Sequence, residues 1–279
     1  MTTPVENKAH VPTLKILSLN VNSLRMFPKR LGSSLQDWIY THNSDIVCLQ
    51  ETKLSNIDQA MTVHGYNAYY SISQTKKGYS GVATYVKHGL QCTNVQENFG
   101  STLTNEGRVL CSDHGEFVLF NVYVPNPGLK CEKPDRTIDF YKTLLDATTQ
   151  LKHAGRHVII IGDLNIAHNN IDTHNPKAIT AFSPPARAML SQIINNETFI
   201  DAYRYLYPNV QQFTCIYSRG QLRNVKMGWR IDYTLMSANC IHKLISSEIY
   251  DVNISDHLPI VLTLQCDIRV KTTELVIEN

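Results

Sequence analysis

The chain has 279 residues, and its 26 basic and 24 acidic side chains nearly cancel to a net charge of +2. That length suits one large α/β domain or two small ones, and no Pro/Gly/Ser-rich linker or break in composition divides it. The even charge excludes bulk electrostatics as a sign of nucleic-acid binding, which would need a local basic face; the seven scattered cysteines lack CxxC spacing and read as reduced intracellular thiols, against a disulfide framework or zinc site.

Residues 1–13 are polar and proline-containing, have no apolar signal region, and are expected to form a disordered tail. Strand-like runs follow near 14–20, 45–50, 66–73, 80–87, 108–112, 117–124, 157–162, 230–236 and 258–265. They are rich in Val, Ile, Leu and Tyr and bounded by Gly, Asn, Asp or Pro. Helical stripes lie between some of them. Leu31, Leu35, Trp38, Ile39 and His42 share one face; Ile138, Tyr141, Leu144, Leu145 and Leu151 share a second; Met189, Leu190, Ile193 and Ile194 share a third, opened by Pro184-Pro185. Such stripes are core faces, and helices interleaved with strands imply layered α/β packing in one domain over 14–266, followed by a tail over 267–279. No stretch is long enough to span a membrane, and no basic run reads as a nuclear signal.

Several strand-like runs end in a polar motif. LKILSLNVNSLR reaches Asn20 and Asn22, DIVCLQETK reaches Glu51, and HVIIIGDLN reaches Asp163 and Asn165; GWRIDY and SDHLPI supply Asp232, Asp256 and His257. A buried strand that finishes in a carboxylate or carboxamide sets that group at a sheet edge. If these edges converge, they form a cluster of oxygen ligands, acids and a histidine suited to a hard divalent cation and phosphoester hydrolysis. Asp163 and Asn165 are separated by one residue, so an extended segment would point both to the same side; an Asx-turn closing the strand is the alternative. Asp163 could accept a proton from water, with Asn165 holding that water or a phosphate oxygen. His257 could donate to a phosphate oxygen, with Asp232 orienting its ring. Ser255, Asp256 and His257 are sequence neighbours and cannot form a nucleophilic triad.

Together these motifs resemble the exonuclease III family of abasic-site endonucleases, within the deoxyribonuclease-I-like phosphodiesterases. The stretches GYNAYYSISQTKKGYSGVAT, EGRVL, HVIIIGDLNIAHNNID, FIDAYR and QFTC are most similar to the type 2 eukaryotic branch. The resemblance runs from about Leu14 to Gln265. It implies a four-layer α/β sandwich with the active site at one edge, and a Mg²⁺ ion, replaceable by Mn²⁺, on Glu51, with Asp256 and Asn22 nearby. Some relatives carry Asp where Asn22 stands, which implies one main metal site. The resemblance assigns Tyr123 and Asn126 to the reacting phosphate and Asn20 to orienting Asp163, with His168 and Asp172 supporting the site. Arg25, Tyr79, Arg108 and Asn175 match positions that approach DNA, and Trp229 matches a residue lining the pocket for an extruded sugar. Cys215 and Ile216 stand where strong incisors carry aromatics.

These matches lead to an expected repair enzyme acting on double-stranded DNA with abasic sites or damaged or recessed 3′ ends. Work at 3′ ends is expected to exceed abasic incision. The expected protein is an intracellular monomer, nuclear if its source is eukaryotic, with no membrane contact and no supported sliding-clamp motif. A phosphoesterase of the same fold acting on RNA, inositol phosphates or lipids, and a noncatalytic DNA-binding scaffold, remain as alternatives.

Overall fold

Ile46, Val47, Cys48 and Leu49 are all fully buried, so their strand must be covered on both faces. Val47 and Leu49 point toward helices, and Ile46 and Cys48 toward a second sheet. The computed structural model, which describes residues 12–97, 104–128, 134–175, 184–195, 197–216, 227–252 and 254–270, gives this division throughout. The first sheet has the order β13-β14-β1-β2-β4-β3, formed by Leu244–Ile249, Ile260–Gln265, Thr13–Asn20, Ile46–Gln50, Val82–Lys87 and Tyr66–Ser71. The second has the order β5-β6-β7-β8-β12-β9, formed by Thr93–Gln96, Val109–Asp113, Val118–Tyr123, Val158–Asp163, Asp232–Ser237 and Phe199–Asp201. Helices α1 (Phe27–Leu31) and α2 (Leu35–His42) bring Phe27, Trp38 and Ile39 to the outer face of the first sheet. Helices α3 (Pro134–His153) and α4 (Pro184–Ile193) cover the second with Phe140, Leu144 and Leu190. The expected four-layer sandwich is the observed fold. A short helix, α5 (Ala202–Leu206), and a two-stranded ribbon of β10 (Cys215–Ile216) and β11 (Gly228–Trp229) lie beside the layers.

The single helical stripe expected across Leu31 to His42 divides in two. Gly32 takes a left-handed φ of 75° after α1, and Ser34 then caps α2 reciprocally with Asp37. Strands β5, β9 and β13 have no counterpart among the expected runs. β9 has three residues, and β5 and β13 are edge strands carrying Asn94, Gln96, Ser246 and Glu248, which dilute the apolar alternation. The expected terminal tails fall largely on residues 1–11 and 271–279, outside the described residues.

A buried amide layer joins the sheets directly beneath the polar strand ends. Gln50 Nε2 donates to Ser18 Oγ at 2.9 Å and to Asn121 Oδ1 at 2.8 Å. Asn121 Nδ2 donates in turn to Ala83 O at 2.8 Å and Thr84 Oγ1 at 3.1 Å. Such a layer fixes the register between two otherwise greasy faces, because any slip leaves amides unpaired. Asn121→Ala is therefore expected to destabilise the protein by about 1–3 kcal/mol, through the acceptors and donor it strands. Chemical denaturation checks this; a loss within about 0.5 kcal/mol, the range of ordinary surface changes, would deny the layer its role.

Candidate active site

The polar strand ends meet because the strands are in register. Asn20 pairs with Gln50 across parallel β1 and β2, and Asp163 is flanked by Tyr123 on β7 and Asp232 on β12. Gly162 permits this arrangement: its φ is 137°, and a Cβ there would lie 2.1 Å from Val122 O. Beyond the strand ends the backbone turns sharply. Asn22, Glu51 and Asn165 have φ of 43°, 49° and 56°, a left-handed conformation that non-glycine residues seldom hold without support. The extended geometry expected for Asp163 and Asn165 is thus replaced by a turn. Asn165 N donates to Asp163 Oδ1 at 2.9 Å, so the Asx-turn itself brings both side chains to one place.

At the centre, one amide joins the two sheets. Asn20 Nδ2 donates to Glu51 Oε1 at 3.0 Å and to Asp163 Oδ2 at 2.9 Å. On one side, His257 Nδ1 meets Asp232 Oδ2 at 2.8 Å, and His257 Nε2 faces Asp163 Oδ2 at 3.9 Å. On the other, Asn22 Nδ2 donates to Asp256 Oδ1 at 3.3 Å, and Lys53 Nζ lies 2.6 Å from Asn22 Oδ1 and 2.8 Å from Glu51 Oε2. Asn126 Nδ2 donates to Asn165 Oδ1 at 3.0 Å, and Asn165 Nδ2 to Val124 O at 2.8 Å. The structure therefore gathers Asn20, Asn22, Glu51, Tyr123, Asn126, Asp163, Asn165, Asp232, Asp256 and His257 at one sheet edge.

Burial and charge set the protonation states. Burial lifts the Asp163 carboxyl to about 8, with Asp232 and Glu51 adding and His257 opposing. Burial disfavours charge on His257, but Asp232 foremost, then Cys215 and Asp163, hold its pKa well above the ordinary value. Burial also acts against ionised Glu51, yet hydrogen bonds from Lys53 and Asn20 bring it below the usual carboxylate range. Asp256 is likewise lowered, by His257 and Asn22 against its burial. Burial, Glu51 and Asp163 hold the Tyr123 phenol well above its usual value, so it stays a donor.

Two groups could hold a cation. Asp163, Asp232 and His257 bring ligand atoms within 4.8 Å of one another. Asp232 is committed to the His257 ring, however, and that pairing favours a charged donor over a ligand. Glu51, Asn22 and Asp256 offer oxygen alone, and an ammonium already rests between Glu51 and Asn22. That donor set fits a hard divalent ion.

Residues expected to face DNA divide. Arg25 is exposed on the loop after Asn22 and pairs with Asp58 at 2.7 Å. Asn175 is exposed, and Tyr79 is half-buried. Arg108 does not fit the expectation. It is 3% exposed, with Nε on Glu106 at 2.7 Å, one terminal nitrogen on Tyr123 O at 3.2 Å and the other on the Tyr79 hydroxyl at 2.7 Å. Its guanidinium is also stacked between the rings of Tyr79 and Tyr123. Each of its three nitrogens makes a hydrogen bond within the protein, so in this structure it braces two tyrosines from a buried position. Trp229 pairs with Cys215 across the β10–β11 ribbon, and the Cys215 thiol hydrogen-bonds His257. Ile216 pairs with Gly228, and its N–H donates to Asp256 O at 2.9 Å. Asp172 supports the site through buried Arg230, two residues before Asp232, with Nε on its carboxylate at 2.8 Å. His168 turns instead to Ser191, at 2.9 Å.

Sequence reasoning missed Lys53, although it stands two residues after Glu51. It also missed Ser255, whose hydroxyl donates to Asn20 O at 2.8 Å. Neither carries a periodic signal, because both act through loop geometry.

Residues 17–257 match the Endonuclease/Exonuclease/phosphatase family. The chain belongs to that family. It is 31% identical to an exodeoxyribonuclease of Bacillus subtilis over 260 residues, covering 90% of this chain and 99% of that protein. It is 30% identical to DNA-(apurinic or apyrimidinic site) endonuclease 2 of Mus musculus, covering 91% of this chain but 61% of that longer protein. Its fold is similar to the APE2 catalytic domain of Xenopus laevis, with a TM-score of 0.82, 29% identity and 94% of each chain covered. The four-layer architecture and the resemblance to the type 2 branch agree with these relatives.

The buried Arg108 yields a test. Arg108→Met is expected to lower kcat by about tenfold or more, an effect of roughly 1.4 kcal/mol, because Tyr123 loses its brace. Duplex affinity should change far less. Unchanged turnover with sharply weakened DNA binding would return Arg108 to the DNA-contacting surface.

Proposed function

We propose that the protein is a Mg²⁺-dependent DNA repair phosphodiesterase, with Mn²⁺ able to substitute, that acts chiefly at damaged or recessed 3′ ends and more weakly at abasic sites. The observation that carries the reading is the Asn20 bridge, which holds Glu51 and Asp163 on one amide. It ties a metal-ligating carboxylate to a base within one hydrogen-bonded group. The nuclease names of the relatives favour DNA over the other phosphodiesters of the fold.

The chemistry follows from the residues. Asp163 accepts the proton of an attacking water, and its elevated pKa makes it a stronger base once ionised. Asn165, held by Asn126 and Val124 O, positions that water. His257, held charged by Asp232, donates from Nε2 to a phosphate oxygen. Asp232 fixes the ring, and Tyr123 adds a second donor. Glu51, Asn22 and Asp256 would hold a divalent ion, which when bound would supply Lewis-acid stabilisation of charge on phosphate. The 3′ oxygen leaves without a covalent intermediate. Arg25, Tyr79 and Asn175 are the residues assigned to approach DNA, and such contacts position a duplex without reading its sequence. Among the described residues no helix is long and apolar enough to cross a membrane.

Asp163→Asn and Glu51→Gln are each expected to lower kcat by about 10²–10⁴-fold while the protein stays folded. EDTA should abolish turnover, and Mg²⁺ or Mn²⁺ should restore it. Near-normal rates in either variant, or full activity after exhaustive chelation, would defeat the assignment.

The preference for 3′ ends rests on the Cys215–Trp229 ribbon. A flipped abasic sugar gains from a close apolar wall, and extrusion costs a few kcal/mol of unstacking. A thiol supplies less wall than an aromatic ring, whereas a terminal nucleotide has less stacking to lose. The ratio of kcat/KM on an abasic duplex to that on a recessed 3′ end should be low in wild type and rise in Cys215→Phe. A wild type that strongly prefers the abasic duplex sinks this preference whatever the variant does.

A further inference from the structure

Lys53 occupies an unusual place. Its Nζ lies 2.8 Å from Glu51 Oε2 and 2.6 Å from Asn22 Oδ1, two oxygens assigned above to the divalent ion. The backbone is shaped to put it there. Glu51 and Lys53 have φ of 49° and 51°, a left-handed conformation that non-glycine residues hold only when their surroundings impose it. Four backbone hydrogen bonds support the turn: Thr52 N to Gly81 O at 3.0 Å, Lys53 N to Ser80 O at 2.8 Å, Ser23 N to Glu51 O at 2.8 Å and Leu24 N to Thr52 O at 2.9 Å. The loop thereby directs a carboxylate and an ammonium, two residues apart, into the same crevice. The Lys53 side chain stays 33% exposed, so its charge can leave the crevice without unfolding anything.

An ammonium and a divalent ion compete at these two oxygens, because each draws on the same negative potential and the two cations repel each other. We propose that Lys53 is an internal counter-cation: it holds Glu51 and Asn22 in the metal-free enzyme, is displaced by the divalent ion, and then engages a phosphate of the bound strand. The inference rests on the metal assignment to Glu51. Lysine suits both positions, as a compact charge on a flexible stem. Its displacement links two equilibria. The ion binds more weakly than the bare oxygens would allow, and its arrival frees a positive charge for DNA. Metal and DNA therefore favour each other's binding, and the coupling is reciprocal.

The full chain tests this. Mn²⁺ affinity without DNA is read by electron paramagnetic resonance at pH 8 for wild type, Lys53→Met, Lys53→Gln and Lys53→Arg. Lys53→Met and Lys53→Gln are expected to bind Mn²⁺ about fivefold tighter or more. Both should also lose the Mg²⁺-dependent gain in affinity for a recessed duplex whose 3′ end is protected by phosphorothioate linkages, while Lys53→Arg keeps most of it. In wild type alone, Mg²⁺ should speed acylation of Lys53 by a lysine-directed reagent, read by mass spectrometry, which needs no variant to fold. Equal or weaker Mn²⁺ binding in Lys53→Met and Lys53→Gln, or an acylation rate indifferent to Mg²⁺, overturns the counter-cation alone. A wild type that binds no Mn²⁺ overturns the metal assignment and this inference with it.

Discussion

The carboxamide of Asn20 is the constraint on which the site depends. Its nitrogen donates to a carboxylate from each sheet, Glu51 after β2 and Asp163 at the end of β8. A shift of a single residue in either sheet would turn one partner away, because strand side chains alternate. The amide layer of Gln50 and Asn121 below it prevents such a shift, and Ser255 fixes the Asn20 backbone from a third direction. Asn20 is fully buried, so its amide has no water to fall back on and its two bonds are the whole of its donor capacity. Chemistry and packing are therefore one problem here.

Much of this was legible in the sequence where burial imposes a pattern. The runs at 14–20, 45–50 and 157–162 are apolar at consecutive positions, such as Ile46 to Leu49 and Val158 to Ile161, because both faces of those strands are covered, and each ends near its polar motif. The helices announced themselves by their stripes. What escaped was set by other physics. Edge strand β13 turns Ile245 and Glu248 to solvent, which breaks its alternation. Lys53 and Ser255 are placed by turns, whose geometry depends on distant carbonyls at Ser80 and Asn20. Arg108 was expected at the DNA surface because it matches a family position there, yet a guanidinium also fits between two tyrosine rings beside a carboxylate, and sequence cannot distinguish an arginine buried inside from one that is free outside.

The same distinction runs through the other charged residues near the site. Arg230 is 1% exposed and pairs with Asp172 and Asp201 at 2.8 and 2.6 Å. Removing one partner of such a buried pair strands the other, which makes the network rigid whatever its net contribution to stability. It anchors the chain two residues before Asp232. The buried pairs behind Asp232 and the partly exposed Lys53 beside Glu51 give the two sides of the site different access to solvent.

The Asn20 bridge to Asp163 spans 143 residues of chain, and the Ser255 contact that holds Asn20 spans 235. Contacts this distant along the chain form only once the intervening layers have assembled, because loop closure precedes any gain from them. A nascent or partly unfolded molecule therefore contains the reactive groups but not their arrangement. Hydrolytic competence arrives with completion of the fold and vanishes with its first global opening, so an unfolded copy of this protein carries the residues of the site without their arrangement.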